Sequence, residues 1–434
     1  MLSPAIIREL NVVDWNFPRP SEEPFRPHHW YPGTFPPELP STLIQATTKP
    51  GDLVFDPYGG IGTTTSEALR LGRKSWCVEL NRVAALAAYV SGVIVLLRLR
   101  EPRLLESLLS ALAGSIAATE RTSLFGGPSS LGDGMALDRA VSGLVEPTPL
   151  DFLGRMSFGA APNELALGPW YHRNTLANVL SFSRGLADQD SAMLQLMGLM
   201  AVSACLKALS SQTRSWGHIA DNVLPKNLIE KDFSKALRRW HGRLSKNLQS
   251  AKIEPIPTFA SSNDRYLHVS IHDWKAAGSL DDAVPNERAK VLITSPPYGG
   301  AIDYVLSQRL SYYLLGANDD DLMGDQRNEI GARRRRFSDK SRDLWAQNLC
   351  ECVKSQIEYL DVSGTAIVVM PHKSEGRSNG NEIVDETLRK ACWMKQYSID
   401  RSIRSQRARQ AWTSIKRETI SFYVRRDGTD TEGR

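Results

Sequence analysis

The residues best suited to chemistry form one short stretch, Thr294-Ser295-Pro296-Pro297-Tyr298-Gly299-Gly300. The β-branched run Val291-Leu292-Ile293-Thr294 reads as a buried strand leading into it. Two prolines end that strand and stiffen the chain beyond it, because neither has an N–H and both fix φ. The glycines then let the chain turn away. The expected product is a rigid loop at the carboxyl end of a strand, where open α/β sheets bind ligands. It presents a hydroxyl, two free backbone carbonyls and one aromatic face. Those groups suit a flat ring with an exocyclic amine: hydroxyl and carbonyl accept the amine hydrogens while the tyrosine stacks on the ring. Most Pro-Pro-Tyr tripeptides are plain turns, so this one gains meaning from a second motif upstream.

That motif is Pro50-Gly51-Asp52-Leu53-Val54-Phe55-Asp56-Pro57-Tyr58-Gly59-Gly60-Ile61-Gly62-Thr63-Thr64-Thr65. Leu53-Val54-Phe55 reads as a short buried strand, the glycines as a tight loop, and Thr63 to Leu71 as a helix ended by Gly72. Glycine lets backbone approach a ligand that a Cβ would block, and the helix N-terminus offers free N–H groups. A second strand, Lys74-Ser75-Trp76-Cys77-Val78-Glu79, ends in a carboxylate placed to bond ribose hydroxyls. No Lys-Ser/Thr comes after the loop, which excludes a nucleoside-triphosphate P-loop. The loop also falls one glycine turn short of the pyridine-dinucleotide pattern. An adenosine ligand with a small charged tail fits better.

Together the two motifs resemble those of the S-adenosylmethionine-dependent DNA amino-methyltransferases. Asp56-Pro57-Tyr58-Gly59-Gly60-Ile61-Gly62-Thr63-Thr64 is similar to that family's cofactor loop, and Thr294-Ser295-Pro296-Pro297-Tyr298 to its catalytic loop. His29 to Pro50 resembles the segment that covers the methionine end of the cofactor in a subset of these enzymes. The resemblance spans residues 28–90 and 265–425. It implies S-adenosyl-L-methionine as cofactor, held by Phe35, Asp56, Pro57, Tyr58, Gly60, Gly62, Thr63, Thr64, Glu79 and Asp273. It implies Ser295, Pro296, Pro297 and Tyr298 as catalytic residues, and double-stranded DNA as partner. A Ser-first loop is typical of cytosine-N4 enzymes; adenine at N6 is the nearest alternative target. A catalytically silent DNA-binding subunit of the same fold is the alternative from another class. Cognate restriction or defence proteins are implied partners only through the resemblance. Tyr58 stands where the family usually has Phe, and Cys77 and Arg82 replace its common Gly and Pro.

The implied fold is α/β: a doubly wound, mostly parallel Rossmann-like sheet interrupted by a large helical insertion. Residues 1–27 read as an extended arm, 28–90 as the first part of the catalytic domain, and 91–262 as the mainly helical insertion. Residues 263–426 form the second part, and 427–434 a tail. Helices are expected at Val83 to Leu97, Arg103 to Thr119, Arg173 to Ala187, Ser191 to Ser210 and Asp232 to Ala251, with Ser123 to Pro149 as a loop. The segment from Ser211 to Lys226 contains Arg214 and Trp216. It reads either as a base-contacting loop or as a polar helix connection, and the insertion is the candidate for target recognition. Tyr266 to Asp273 is a strand whose terminal Asp273 either faces the cofactor or caps a helix. One helix is expected from Val305 to Leu315, another from Leu344 to Tyr359, and strands at Gly364 to Met370 and Thr419 to Val424.

The chain has 434 residues and a formal net charge of +5. Its basic residues cluster at Arg333-Arg334-Arg335-Arg336 and from Arg401 to Arg409, which fits a polyanion or merely a solvated face. Five scattered cysteines suit a reducing compartment, hence the cytoplasm. Cys350 and Cys352 have no matching Cys/His pair, so no metal site is expected. Adjacent His28 and His29 cannot share a helix face to bind a metal. No signal sequence is visible, and the apolar run Val83 to Leu97 is short for a membrane span and reads as a buried helix. Nothing in the pattern specifies an oligomeric state.

Overall fold

The computed structural model of this chain describes residues 2–17, 24–121, 134–159, 161–212, 224–255, 265–276, 280, 284–300, 302–332, 339–372, 379–403 and 417–426. Its strands are β1 (Leu53–Asp56), β2 (Lys74–Glu79), β3 (Val145–Glu146), β4 (Leu267–Ile271), β5 (Ala289–Thr294), β6 (Leu360–Pro371), β7 (Trp393–Ser402) and β8 (Arg417–Arg425). They form one sheet in the order β3-β4-β2-β1-β5-β6-β8-β7. The pairings from β3 through to β6 are parallel. Only β8 runs antiparallel, to β6 on one side and β7 on the other. This is the doubly wound, mostly parallel α/β sheet that the sequence implies. From β1 the chain passes outward through β2 to β3 at the edge, fits β4 between those two, and then places β5 on β1's other side. That reversal opens a crevice at the carboxyl ends of β1 and β5.

Strand alternation divides the core. Leu53, Phe55, Trp76 and Val78 face one side, where they pack with Trp274 and Trp345. Val54, Val291, Ile293 and Ile367 face the other, against Leu39, Leu43 and Ile44 of the helix Glu38–Thr47. The helix Arg82–Arg100 starts at Asn81, whose side chain accepts from the Val83 and Ala84 N–H groups. It and Ala192–Leu209 are long and apolar enough to cross a membrane, yet 83% and 72% of their apolar windows lie buried inside this fold. Both are core helices, the first as expected.

Several elements depart from the sequence expectation. The arm is not wholly extended: Pro4–Asn11 is a helix, capped by Ser3 and docked through Leu2, Leu10 and Trp15. Within the expected loop Ser123 to Pro149, the helix Gly134–Ser142 forms and β3 joins the sheet beside β4. The expected helix from Val305 to Leu315 is broken at Gln308 into Tyr304–Ser307 and Arg309–Leu314. The Gln308 amide donates to the Trp30 carbonyl at 3.0 Å, which ties the break to the segment before β1. Strand β7 went unforeseen because its residues are mostly polar and half-exposed, as on an edge. Arg401, read as part of a basic cluster, is turned inward and buried.

Gly62 joins the cofactor-type loop to the core. Its φ is +80°, and a Cβ there would lie 2.6 Å from the Ala88 Cα. Gly62→Ala would combine left-handed strain with a clash against helix backbone, for a loss of about 2–5 kcal/mol. A thermal melt should show a midpoint several degrees lower; an unchanged midpoint would contradict this contact.

Candidate active site

The loop after β1 is held through its backbone N–H groups. The Tyr58 N–H donates to Asp56 Oδ1 at 3.1 Å, and the Gly59 N–H to the Val78 carbonyl at 3.0 Å. The Gly60 N–H donates to Glu79 Oε2 at 2.8 Å, while the other Glu79 oxygen accepts from the Asn81 N–H at 2.8 Å. Glu79 therefore holds the loop and the start of the next helix together. A Cβ on Gly59 would sit 2.2 Å from the Cys77 Sγ, so the thiol fills the space that the missing side chain leaves. Arg82 leaves the site altogether: it donates to the Arg155 carbonyl at 2.6 Å and lies over the Phe158 ring.

Phe35, Asp56, Pro57, Tyr58, Gly60, Thr63, Thr64, Glu79, Asp273, Ser295, Pro297 and Tyr298 line one cavity at the sheet's switch point. Gly62 and Pro296 do not reach its wall. Gly62 packs on Ala88, and Pro296 is buried. Arg214, Trp216 and Arg333 to Arg336 lie outside the described residues. His28 and His29 are structural. His28 contacts the Asn247 amide oxygen at 3.2 Å and His29 the Ser203 hydroxyl at 2.7 Å, and burial lowers both to about 4. Among the described residues no cluster could hold a metal ion.

The wall's charge is one-sided. Asp56, Glu79, Asp273 and Glu329 line it, whereas no Lys or Arg among the described residues does. Burial raises Asp56 to about 6, against the Tyr58 N–H. Burial likewise raises Glu79 to about 7, against the N–H groups of Asn81 and Gly60. Such a wall disfavours phosphates and suits a ligand carrying positive charge and hydroxyl donors. S-adenosylmethionine, a sulfonium with ribose hydroxyls, fits that donor and charge pattern. Asp273 forms a turn, its carboxylate accepting from the Lys275 N–H at 3.0 Å, and still reaches the cavity. Tyr31 and Tyr304 stack at 5.4 Å and close the side near Gly60.

Sequence reasoning missed the groups that fix the second loop. The Trp345 indole N–H donates to the Pro297 carbonyl at 3.0 Å, so one of the two carbonyls expected to be free is taken. Gly299 and Gly331 pack against the same indole, and the Gly300 N–H donates to the Gly331 carbonyl at 2.8 Å. Ser295 Oγ donates to Tyr298 Oη at 2.8 Å, and Tyr298 Oη donates to Glu418 Oε1 at 3.0 Å. Nothing in the sequence pattern linked Glu418 to a loop 120 residues away.

Residues 10–89 match the N6_N4_Mtase family, described as DNA methylase. This segment is similar to the DNA amino-methyltransferase family. Within that family the chain is similar to the Type II methyltransferase M.BglII of Bacillus subtilis, 34% identical over 59 residues. That alignment covers 14% of this chain and 16% of the relative's length. Among solved structures it aligns with the rRNA methyltransferase aviRa of Streptomyces viridochromogenes at 11% identity, over 92% of this chain and 88% of that one. The TM-score of 0.28 is too low for that likeness to carry any argument.

Trp345→Phe keeps most of the packing and removes one N–H. Leaving the Pro297 carbonyl unpaired should lower stability by about 1–3 kcal/mol. The amides of Tyr298, Gly299 and Gly300 should exchange with solvent faster. Unchanged exchange at those amides would show that the indole does not hold the loop.

Proposed function

We propose that this chain is an S-adenosylmethionine-dependent DNA methyltransferase acting on the exocyclic N4 amine of a flipped-out cytosine. The observation that carries the reading is the meeting of Ser295 and Tyr298 with Asp56, Tyr58 and Glu79 around one acidic cavity. Bound S-adenosylmethionine would supply an electrophilic methyl group on a positively charged sulfur. Phe35, Asp56, Pro57, Tyr58, Gly60, Thr63, Thr64, Glu79 and Asp273 would hold it, with Gly62 shaping their loop. Glu79 has a second lone pair on each oxygen for ribose hydroxyls.

The lone pair of an aromatic amine is delocalised into its ring. Acceptors on its hydrogens favour a pyramidal nitrogen and return density to it. Ser295, on the cavity wall, is one acceptor; the Pro297 carbonyl is taken by Trp345, and Pro296, the second acceptor expected from the sequence, is buried and does not line the wall. The proton released on methylation leaves to water, since serine is a poor base. A base within a duplex must first rotate out, at a few kcal/mol, and stacking on Tyr298 offsets about 1–3 kcal/mol of that. Phosphate contacts are assigned to Arg333 to Arg336, Arg214 and, on the helix Phe233–Ser250, to exposed Lys235, Arg239 and Arg243. Trp216 would stack, and residues 91–262 would select the target sequence.

The deciding experiment incubates unmethylated DNA with the protein and S-adenosylmethionine, and then applies nucleoside mass spectrometry. N4-methylcytosine is the expected product. N6-methyladenine would keep the mechanism and overturn the base assignment, while cofactor binding without any methylated base would favour a silent DNA-binding subunit.

Cofactor binding should also depend on pH. With Glu79 raised to about 7, its protonated form predominates below that value and offers fewer acceptors to hydroxyl groups. Calorimetric Kd should therefore tighten by about tenfold from pH 6 to pH 8, and Glu79→Ala should bind weakly and flatten the dependence. A pH-independent Kd in the parent protein would remove Glu79 from the ribose.

A further inference from the structure

The hydroxyl chain below the cavity has a direction. Tyr298 has one hydroxyl proton, and it goes to Glu418 Oε1 at 3.0 Å. Its oxygen is thereby left to accept, and the Ser295 proton is directed onto it at 2.8 Å. What Ser295 shows the cavity is lone pairs only. Behind Glu418 stands Arg401, with Nε 3.1 Å from Oε2 and both side chains 8% exposed. The two lie directly opposite on β8 and β7, and neither lines the cavity. Burial pushes the Glu418 carboxyl up, and Arg401 and the Tyr298 hydroxyl oppose that rise. A buried ion pair adds little net stability over apolar packing, so its placement under this hydroxyl chain asks for another reason.

We propose that Glu418 is a positioning residue. By taking the Tyr298 proton it fixes the direction of the Ser295–Tyr298 chain, which makes Ser295 an acceptor for an exocyclic amine and hostile to an exocyclic carbonyl oxygen in the same place. The inference rests on the amino-methylation reading. It extends that reading from where the base sits to how an amino base is told from its oxo counterpart, cytosine from uracil or adenine from hypoxanthine.

Glu418→Gln reverses the chain without changing its shape. A guanidinium accepts nothing, so Arg401 draws the amide oxygen to itself and leaves the amide N–H₂ facing Tyr298. The phenol must then donate to Ser295, whose proton turns to the cavity and meets the donors of the amine. The expected result is a kcat roughly 10- to 100-fold lower, with the cofactor Kd within about twofold of the parent's. On a duplex carrying the site the parent methylates, preference for the amino base over its oxo counterpart should narrow by a similar factor. Tyr298→Phe cuts the chain. In that background Glu418→Gln should change kcat by less than about twofold, as two groups on one chain require.

Persistence of the full Glu418→Gln loss in the Tyr298→Phe background would mean a general structural role and overturn the proposal. So would an unchanged base preference in Glu418→Gln. Should Glu418→Gln fail to fold, Tyr298→Phe alone must narrow the preference, because its Ser295 proton is released; retained preference would again overturn it. A parent protein that binds cofactor yet methylates nothing would sink the amino-methylation reading itself, whereas an active parent with an unaffected Glu418→Gln would sink this inference alone.

Discussion

Two indole N–H groups hold the site in shape. Trp274 donates to the Pro57 carbonyl at 2.7 Å and Trp345 to the Pro297 carbonyl at 3.0 Å. A proline-bearing loop has a rigid path but cannot donate through the proline itself, so its carbonyls need a partner from elsewhere. A tryptophan suits the task because it anchors through a large apolar body and presents one directed donor. Both indoles belong to the same core cluster on one face of the sheet, together with Phe55 and Trp76 from the strands beneath. The cofactor-type loop and the catalytic-type loop are thus fixed to a common body. Their spacing is set by the parallel pairing of β1 with β5 and by packing on this common cluster.

Electrostatics depends on that rigidity. The wall gathers Asp56, Glu79, Asp273 and Glu329, with no Lys or Arg among its described residues. Carboxylates so placed would ordinarily repel or take up protons, and burial does raise Asp56 and Glu79. Fixed backbone donors make the arrangement tolerable: Glu79 receives one N–H on each oxygen, and Asp56 receives that of Tyr58. A ligand with positive charge and hydroxyl groups completes what the loops begin. A phosphate would meet four carboxylates and no Lys or Arg among the described lining residues.

The parts of this arrangement that are local in sequence were legible there. Strand, glycine loop and helix at Leu53 to Leu71, the acid at Glu79 and the Ser-Pro-Pro-Tyr loop each carry their signal within a few residues. The helices Arg173–Ala187 and Phe233–Ser250 declare themselves by apolar spacing and their flanking polar caps. What stayed hidden depends on distant pairing. Trp345 lies 48 residues from the carbonyl it holds, and Glu418 lies on a strand whose neighbour β7 has no apolar alternation. Arg401 shows how composition misleads. Within a run of arginines it read as a surface cation, for a polyanion or merely for solvent, yet cross-strand register buries it against Glu418. Val145-Glu146 is too short to announce a strand, and only β4 gives it a partner.

Tyr298 combines two demands that a phenylalanine could not. A bare ring would keep its packing against the core cluster but would lose the hydroxyl anchor at its edge. Here the hydroxyl is anchored between Ser295 and Glu418, while the half-buried ring remains on the cavity wall. Anchoring the ring edge settles its orientation in advance, so the stacking proposed for Tyr298 would not be offset by freezing the ring on binding. The same anchor engages the Ser295 proton. On the proposed function, orientation of the stacking face and polarity of the neighbouring acceptor would be one property, both governed by a carboxylate that does not line the cavity.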